Sequence, residues 1–189
     1  MKEEKLMIWT TSDQHFNHKN ILKYERDSRP FETVEEMNRV LIERWNSVVK
    51  PEDIVIHCGD LFMGIPDEID RILPQLNGNI TLVEGNHDTK PRIEKYTQHG
   101  VKVVKSFEYG FHNKAFIFLH DPADIIEEDL YDEDLIFCYG HVHHNAPRGF
   151  VHNSIHIGVD TNNLTPVSLK NIWEQYKQSL TNNKKYYII

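Results

Sequence analysis

Cysteine is nearly missing from this 189-residue chain, which carries only Cys58 and Cys138. Two cysteines cannot make a disulfide framework, and both lie in apolar runs near the ends of expected strands, so they read as buried thiols. Long apolar runs are missing as well: none approaches the roughly 18 residues needed to cross a bilayer. The opening "MKEEKLMIWTTSDQHF" has no signal-peptide core, because its apolar stretch is short and runs straight into polar residues. No membrane partner and a cytoplasmic location are the resulting expectations. There is no excess of positive charge. The 21 Lys and Arg against 29 Asp and Glu leave a net charge of −8, which gives no strong signal for nucleic-acid binding. A phosphate-bearing substrate is still allowed, since bound cations invert the local field. Finally, there is no Pro-, Gly- or Ser-rich linker, internal repeat or low-complexity tract. A chain that is 39% hydrophobic and 26% charged then suits one globular domain over residues 1–189. The oligomeric state is left open.

What is abundant is histidine, twelve in all, and its placement is not diffuse. The elements come first. "LMIWTT", "IVIHC", "NITLVEG", "KAFIFLH", "LIFCYG" and "SIHIGVD" are expected strands, and "VKVVKSFEYG" is expected as another, joined to "KAFIFLH" by a hairpin at "YGFHNK". Apolar residues at Val34, Met37, Val40, Leu41, Trp45 and Val48 recur at helical spacing, and Thr33 with Glu36 suggests a capping box. Shorter helices are expected over "PDEIDRILPQL" and "KPRIEKYTQHG", and a C-terminal amphipathic helix over "SLKNIWEQYKQSL". "PADIIEEDLYDED" reads as an acidic surface helix or loop, and the aromatics of the tail "TNNKKYYII" as candidates to pack back onto the body. Early strand–helix alternation followed by paired strands indicates a layered α/β domain with at least one mixed sheet.

Successive expected strands end in the same kind of chemistry. Asp13 and His15 follow the first, Gly59 and Asp60 the next, then Gly85, Asn86, His87 and Asp88, then His120, then Gly140, His141 and His143. Ligands of open α/β sheets bind beyond the carboxyl ends of the strands, and core packing gives no reason for such a series. Each piece alone has a plainer explanation: a loop at Asp13–His15, a turn at Gly59–Asp60, an Asx turn in "GNHD". Together they supply carboxylate, amide and imidazole donors with no thiolate, a set suited to Mn²⁺, Fe or Zn²⁺ rather than Cu(I). Seven donors exceed one ordinary ion and suit two divalent ions about 3.5–4 Å apart. Asp60, early in the sheet and preceded by a glycine, is the natural bridge through its two oxygens.

In this order the motifs resemble the calcineurin-like metallophosphoesterases, whose signature runs Asp-x-His, Gly-Asp, Gly-Asn-His-(Asp/Glu), a His, and Gly-His-x-His. Here these are "DQH" at 13–15, "GD" at 59–60, "GNHD" at 85–88, His120 and "GHVH" at 140–143. The small size, "DQHFNHKN" and "GVDTNNLTPVSL" resemble the compact bacterial and phage members. The resemblance implies a four-layer α/β/β/α sandwich and a two-metal centre. It places Asp13, His15, Asp60 and His143 on one ion, and Asp60, Asn86, His120 and His141 on the other. His87 is implied as the catalytic imidazole beside the substrate. The implied activity is hydrolysis of a small phosphoester by a bridging hydroxide attacking phosphorus in line, with Mn²⁺ as the expected metal and Fe, Zn²⁺ or Ni²⁺ as alternatives. In the protein phosphatase branch, Gly-Asp continues into a second aspartate and an arginine. Here it continues as "LFMGIP", which argues against that branch and leaves His87 without an identified partner.

A chain this short leaves little room for a specificity cap. An open cleft able to accept both arms of a phosphodiester is therefore expected. The alternatives are a phosphomonoesterase or nucleotidase with the same centre, and a noncatalytic metal-binding interaction module on the same scaffold. Asn17, His18, Arg29 and Arg148 are the candidate substrate contacts, the arginines because a guanidinium can clamp a phosphate with paired donors. His57 is expected to pack beside its strand, and His144 to be solvated. His99, His112, His152 and His156 carry no assignment, although His152 or His156 could line the pocket edge.

Overall fold

The apolar runs become short strands in two sheets in the computed structural model, which describes residues 6–184. In the first sheet β1 (Ile8–Thr11), β2 (Ile54–His57), β3 (Asn79–Val83) and β4 (Lys102–Val104) are parallel neighbours, and β10 (Val167–Ser168) closes the free edge of β1 antiparallel. In the second sheet β5 (Phe107–Phe111) pairs antiparallel with β6 (Lys114–Phe118). Next come β7 (Leu135–Tyr139) and β9 (Ser154–His156), parallel to β6, and then the antiparallel edge β8 (Phe150–Val151).

Alternation along the strands decides which face meets which core. Val55 points to the helices α2 (Val34–Val48) and α4 (Lys90–Gln98), joining Met37, Leu41, Trp45, Leu82 and Tyr96. Its neighbour Ile56 points the other way. With Cys58 and Val83 it meets Phe116, Phe118, Ile136, Cys138 and Ile155 of the second sheet. The C-terminal helix α5 (Leu169–Lys184) adds Leu169, Ile172 and Tyr176 to this core between the sheets. On the far face of the second sheet, Phe137 and Tyr139 meet Ile125 and Leu130. The order of layers is that of an α/β/β/α sandwich, with a thin fourth layer. The acidic segment forms only 3₁₀ turns at Pro122–Asp124 and Glu127–Tyr131, since its few apolar residues cannot give a long helix a buried face.

Several expectations change in detail. "VKVVKSFEYG" is not one strand: the chain leaves the first sheet after Val104 and enters the second at Phe107, where Lys105 and Ser106 carry no Gly or Pro to mark the crossing. "PDEIDRILPQL" is a 3₁₀ turn, the single-turn helix α3 (Ile69–Ile72) and a second 3₁₀ turn containing Pro74. The capping box is half formed. The Glu36 N–H donates to Thr33 Oγ1, but the Glu36 carboxylate accepts from Glu32 N, one residue before the cap. The one-turn helix α1 (Ile21–Tyr24) carries no sequence periodicity that would reveal it. The tail aromatics Tyr186 and Tyr187 lie outside the described residues.

Candidate metal centre

The carboxyl ends of β1, β2 and β3 meet those of β6 and β7, and the loops leaving them stay in register beyond the strands. Asp13 N, His15 N and Phe16 N donate to Gly59 O, Asp60 O and Leu61 O at 3.0–3.1 Å, so the first two loops run on as a laced pair. Asp13, His15, Asp60, His141 and His143 all adopt left-handed backbone, with φ between 49° and 70°. Five non-glycine residues in that region, in one place, mark a backbone bent to aim side chains inward. The loop glycines permit the closeness. Gly59 has φ +87°, and a Cβ there would lie 2.6 Å from His120 Nδ1; at Gly85 a Cβ would run into the Asp60 carboxylate.

Asp60 is at the middle. Its Oδ1 accepts the His87 backbone N–H at 2.8 Å, which leaves Oδ2 facing the cluster. Oδ2 lies 3.5 Å from His15 Nε2 on one side and 3.5 Å from His120 Nε2 on the other. Oδ1 thus gives one lone pair to the loop that carries His87, while Oδ2 is the oxygen that faces both imidazoles. Asp88 props the same place: its Oδ2 accepts from Asp60 N and Gly85 N, and its Oδ1 from the Tyr96 hydroxyl.

On one side, Asp13, His15 and His143 bring one donor atom each within 4.8 Å of one another; Asp13, Asp60 and His120 form a second such group. On the other, Asn86 Oδ1, His120 Nε2 and His141 Nδ1 lie 2.8–3.2 Å apart. His120 gives its Nδ1 proton to Cys58 O at 2.7 Å, so Nε2 presents a lone pair toward the Asn86 oxygen. Acceptor atoms this close need a proton on His141 Nδ1 or a cation among them. His15 is buried with neither ring nitrogen hydrogen-bonded, and burial holds it well below its ordinary pKa, in the neutral form a metal needs. Burial also raises the Asp13 carboxyl to about 6. These His and Asp clusters fit divalent metal ions.

His87 stands apart from the donor groups. Its side chain is 41% exposed, with Nε2 4.0 Å from Asp60 Oδ2 and the ring 5.4 Å from His15. Arg92 holds its carbonyl oxygen at 2.5 Å and that of Met63 at 2.7 Å. His18 lies tilted beside it, 5.1 Å from the His15 ring and 6.4 Å from that of His87, and burial lowers its pKa to about 4.

The other expected substrate contacts separate. Arg29 is fully buried with all five donors engaged, by Asp160, Asp13 O, Gln14 O and Met37 Sδ; it is a scaffold arginine and cannot clamp a phosphate. Asn17 turns away from the centre. Its amide nitrogen donates to Glu68 at 2.7 Å, and its oxygen accepts from Asn38 on α2. Arg148 is exposed in the bend before β8, and no hydrogen bond or ion pair among the described residues joins it to the cluster. His57 packs against Trp45 and pairs with Gln14. His144 is bound to Glu25 at 2.7 Å. His156 does not line an edge but is buried behind Asp13, 4.0 Å from its Oδ2.

Three carboxylates had no ligand or catalytic role in the sequence: Asp88, read only as part of the GNHD motif, Asp121, which lies 3.6 Å from His141 Nε2, and Asp160, which accepts from His143 Nδ1 at 2.7 Å. Asp160 was within reach of the same rule that found the others, because "SIHIGVD" also ends a strand in a carboxylate.

A family model described as the calcineurin-like phosphoesterase superfamily domain matches residues 6–156. The uncharacterized protein MJ1445 of Methanocaldococcus jannaschii is 36% identical over 86% of this chain and 86% of its own length. The Gene 66 protein of Mycobacterium phage D29 is 27% identical over 85% of this chain and 92% of its own. The crystal structure of AQ665 from Aquifex aeolicus, a protein of unknown function, superposes with a TM-score of 0.74 at 27% identity, covering 90% of this chain and 99% of that one.

Proposed function

Because the chain belongs to the calcineurin-like phosphoesterase superfamily, we propose that it is a metal-dependent phosphoester hydrolase that favours phosphodiesters. The observation that carries this is Asp60 Oδ2, midway between two donor sets at 3.5 Å from each imidazole. Asp13, His15, Asp60 and His143 would hold one divalent ion, and Asp60, Asn86, His120 and His141 the other. A set of oxygen and imidazole donors without thiolate favours Mn²⁺, with Fe, Zn²⁺ and Ni²⁺ as competitors. When bound, such a pair supplies Lewis acidity toward phosphoryl oxygens and a water activated near neutral pH.

The protein supplies the rest. His87, anchored through its backbone but with an exposed ring, would face the ester and either stabilise charge on a phosphoryl oxygen or protonate the leaving oxygen. His18, neutral at ordinary pH, would border the same space. The exposure of His87 and of His141, at 41% and 37%, supports an open cleft with room for two ester arms. A reducing, cytoplasmic setting agrees with the two free buried cysteines. The decisive experiment strips the protein with chelator, restores Mn²⁺, Fe²⁺, Zn²⁺, Ni²⁺ or Mg²⁺ singly, and assays a panel of mono- and diesters. Metal-dependent turnover of diesters is expected. Turnover of monoesters alone would make it a phosphomonoesterase, and metal binding without turnover of any ester would make it a noncatalytic module.

A further inference from the structure

A buried ion pair lies directly behind the Asp13 and His143 donors. Arg29 and Asp160 have no exposed side-chain surface, and the guanidinium grips the carboxylate with two parallel bonds, Nε to Oδ1 at 2.8 Å and Nη2 to Oδ2 at 2.9 Å. Removing two charges from water is expensive, and apolar residues of similar volume often serve stability as well or better. Such a pair is better explained by what it orients.

Each partner reaches one donor. Asp160 Oδ2 accepts from His143 Nδ1 at 2.7 Å. An ionised carboxylate only accepts, so His143 must carry its proton on Nδ1 and present Nε2 toward the centre. Arg29 donates to Asp13 O at 2.6 Å and to Gln14 O at 2.8 Å, the carbonyls of a segment whose left-handed turn at Asp13 has φ 61°. Ser28 Oγ adds a bond to Asp160 Oδ1 at 2.7 Å, fixing the carboxylate from its other oxygen. Glu25, His143 and Asp160 also bring donor atoms within 4.8 Å, but the guanidinium already covers both oxygens of Asp160, which argues against an ion there.

We propose that Arg29 and Asp160 are a positioning pair for the metal position built on Asp13, His15 and His143. Asp160 fixes the ring of His143 as an Nε2 donor, and Arg29 locks the bent backbone that presents the Asp13 carboxylate. This rests on the phosphoesterase reading above and goes beyond it, since both residues act through other side chains and neither touches substrate. It also explains why an arginine in the loop after α1 has no surface for a phosphate.

Two measurements on the full chain test it. The first uses wild-type protein with ¹⁵N-labelled histidine, in chelator and with Zn²⁺, a diamagnetic probe. Long-range ¹H–¹⁵N spectra should show His143 protonated at Nδ1 in both states, with the Nε2 signal moving on Zn²⁺ addition. An Nε2–H tautomer in the chelated protein overturns the proposal. The second removes both charges together, Arg29→Met with Asp160→Leu, so that neither is left buried alone. Zn²⁺ affinity should fall about 10–100-fold, the usual effect of losing a partner behind a ligand. The chelated variant should still melt cooperatively. Wild-type affinity in a folded variant overturns the proposal; if the variant does not fold, the tautomer in wild-type protein decides. A wild-type protein that binds no Zn²⁺, Mn²⁺ or Fe²⁺ at all would instead sink the phosphoesterase reading, while the tautomer measured in chelator still tests what Asp160 does to His143.

Discussion

Asp60 divides its labour between two oxygens, and a single atom change separates them. Asp60→Asn keeps an oxygen able to accept the His87 N–H but replaces the anionic oxygen between His15 and His120 with a neutral or donor group. The expected outcome is a larger loss of bound metal than in His120→Ala or His143→Ala, each of which removes a donor from one side; elemental analysis of the three variants checks this. His87→Ala makes the opposite prediction. Its ring lies outside the donor groups, so both ions and the melting temperature should be retained while kcat falls roughly 10²–10⁴-fold. If His87 protonates the leaving oxygen, an alkyl diester should suffer more than a nitrophenyl diester; if it only stabilises phosphoryl charge, the two should suffer alike. At this scale the clustered Asp, Asn and His residues were legible, because each follows just beyond an apolar run. Arg29 and Asn17 were misread because a polar loop residue near a motif looks the same whether it faces solvent or the scaffold. Only tertiary placement shows that the donors of Arg29 are occupied.

Elements place these residues through loops that are tied down at both ends. Asn17 joins the Asp13–Phe16 loop to α2 through Asn38 and to the 3₁₀ turn before α3 through Glu68. Asn17→Ala should therefore destabilise the fold by about 1–3 kcal/mol, as partly buried polar partners lose their bonds, and leave KM for the ester unchanged. Denaturant unfolding paired with steady-state kinetics tests this; a raised KM at unchanged stability would restore Asn17 as a substrate contact. Helix α2 was legible from its spacing and the parallel strands from their apolar runs. The step from β4 to β5 was not, since a strand that changes sheets keeps its extended backbone and needs no turn residue. The edge strands β8 and β10, two residues each, are too short for any alternation to register.

For the molecule as a whole, acid should be destructive. Burial holds His57 down to about 3, His18 and His156 to about 4, and His15 well below its ordinary value. Once unfolded, each titrates near 6.5. Between that value and the folded ones, the unfolded chain carries protons that the folded chain refuses, so stability is fully present above 6.5 and drains away as pH falls toward 4. Asp13, raised to about 6, and Asp88 and His143, also raised, work in the opposite direction, three groups against the four histidines. The denaturation midpoint of chelated protein should therefore drop clearly between pH 7.5 and pH 5; a flat profile would mean that these histidines are not buried neutral.

The donors around the centre come from both sheets. Asp13, His15, Asp60 and Asn86 follow strands of the first, and His120, His141 and His143 follow strands of the second. Asp13 and His141, already joined by a backbone N–H to carboxylate bond at 3.0 Å, are 128 positions apart in the chain. Ions held where proposed would thus be reversible rivets between two halves of the sandwich, closing a loop long enough for a cross-link to restrict the unfolded chain substantially. A protein with no disulfide would in this way make its tensile strength depend on metal supply: loaded, its sheets would have to separate together, and under chelation they would be free to part at the rim where chemistry takes place.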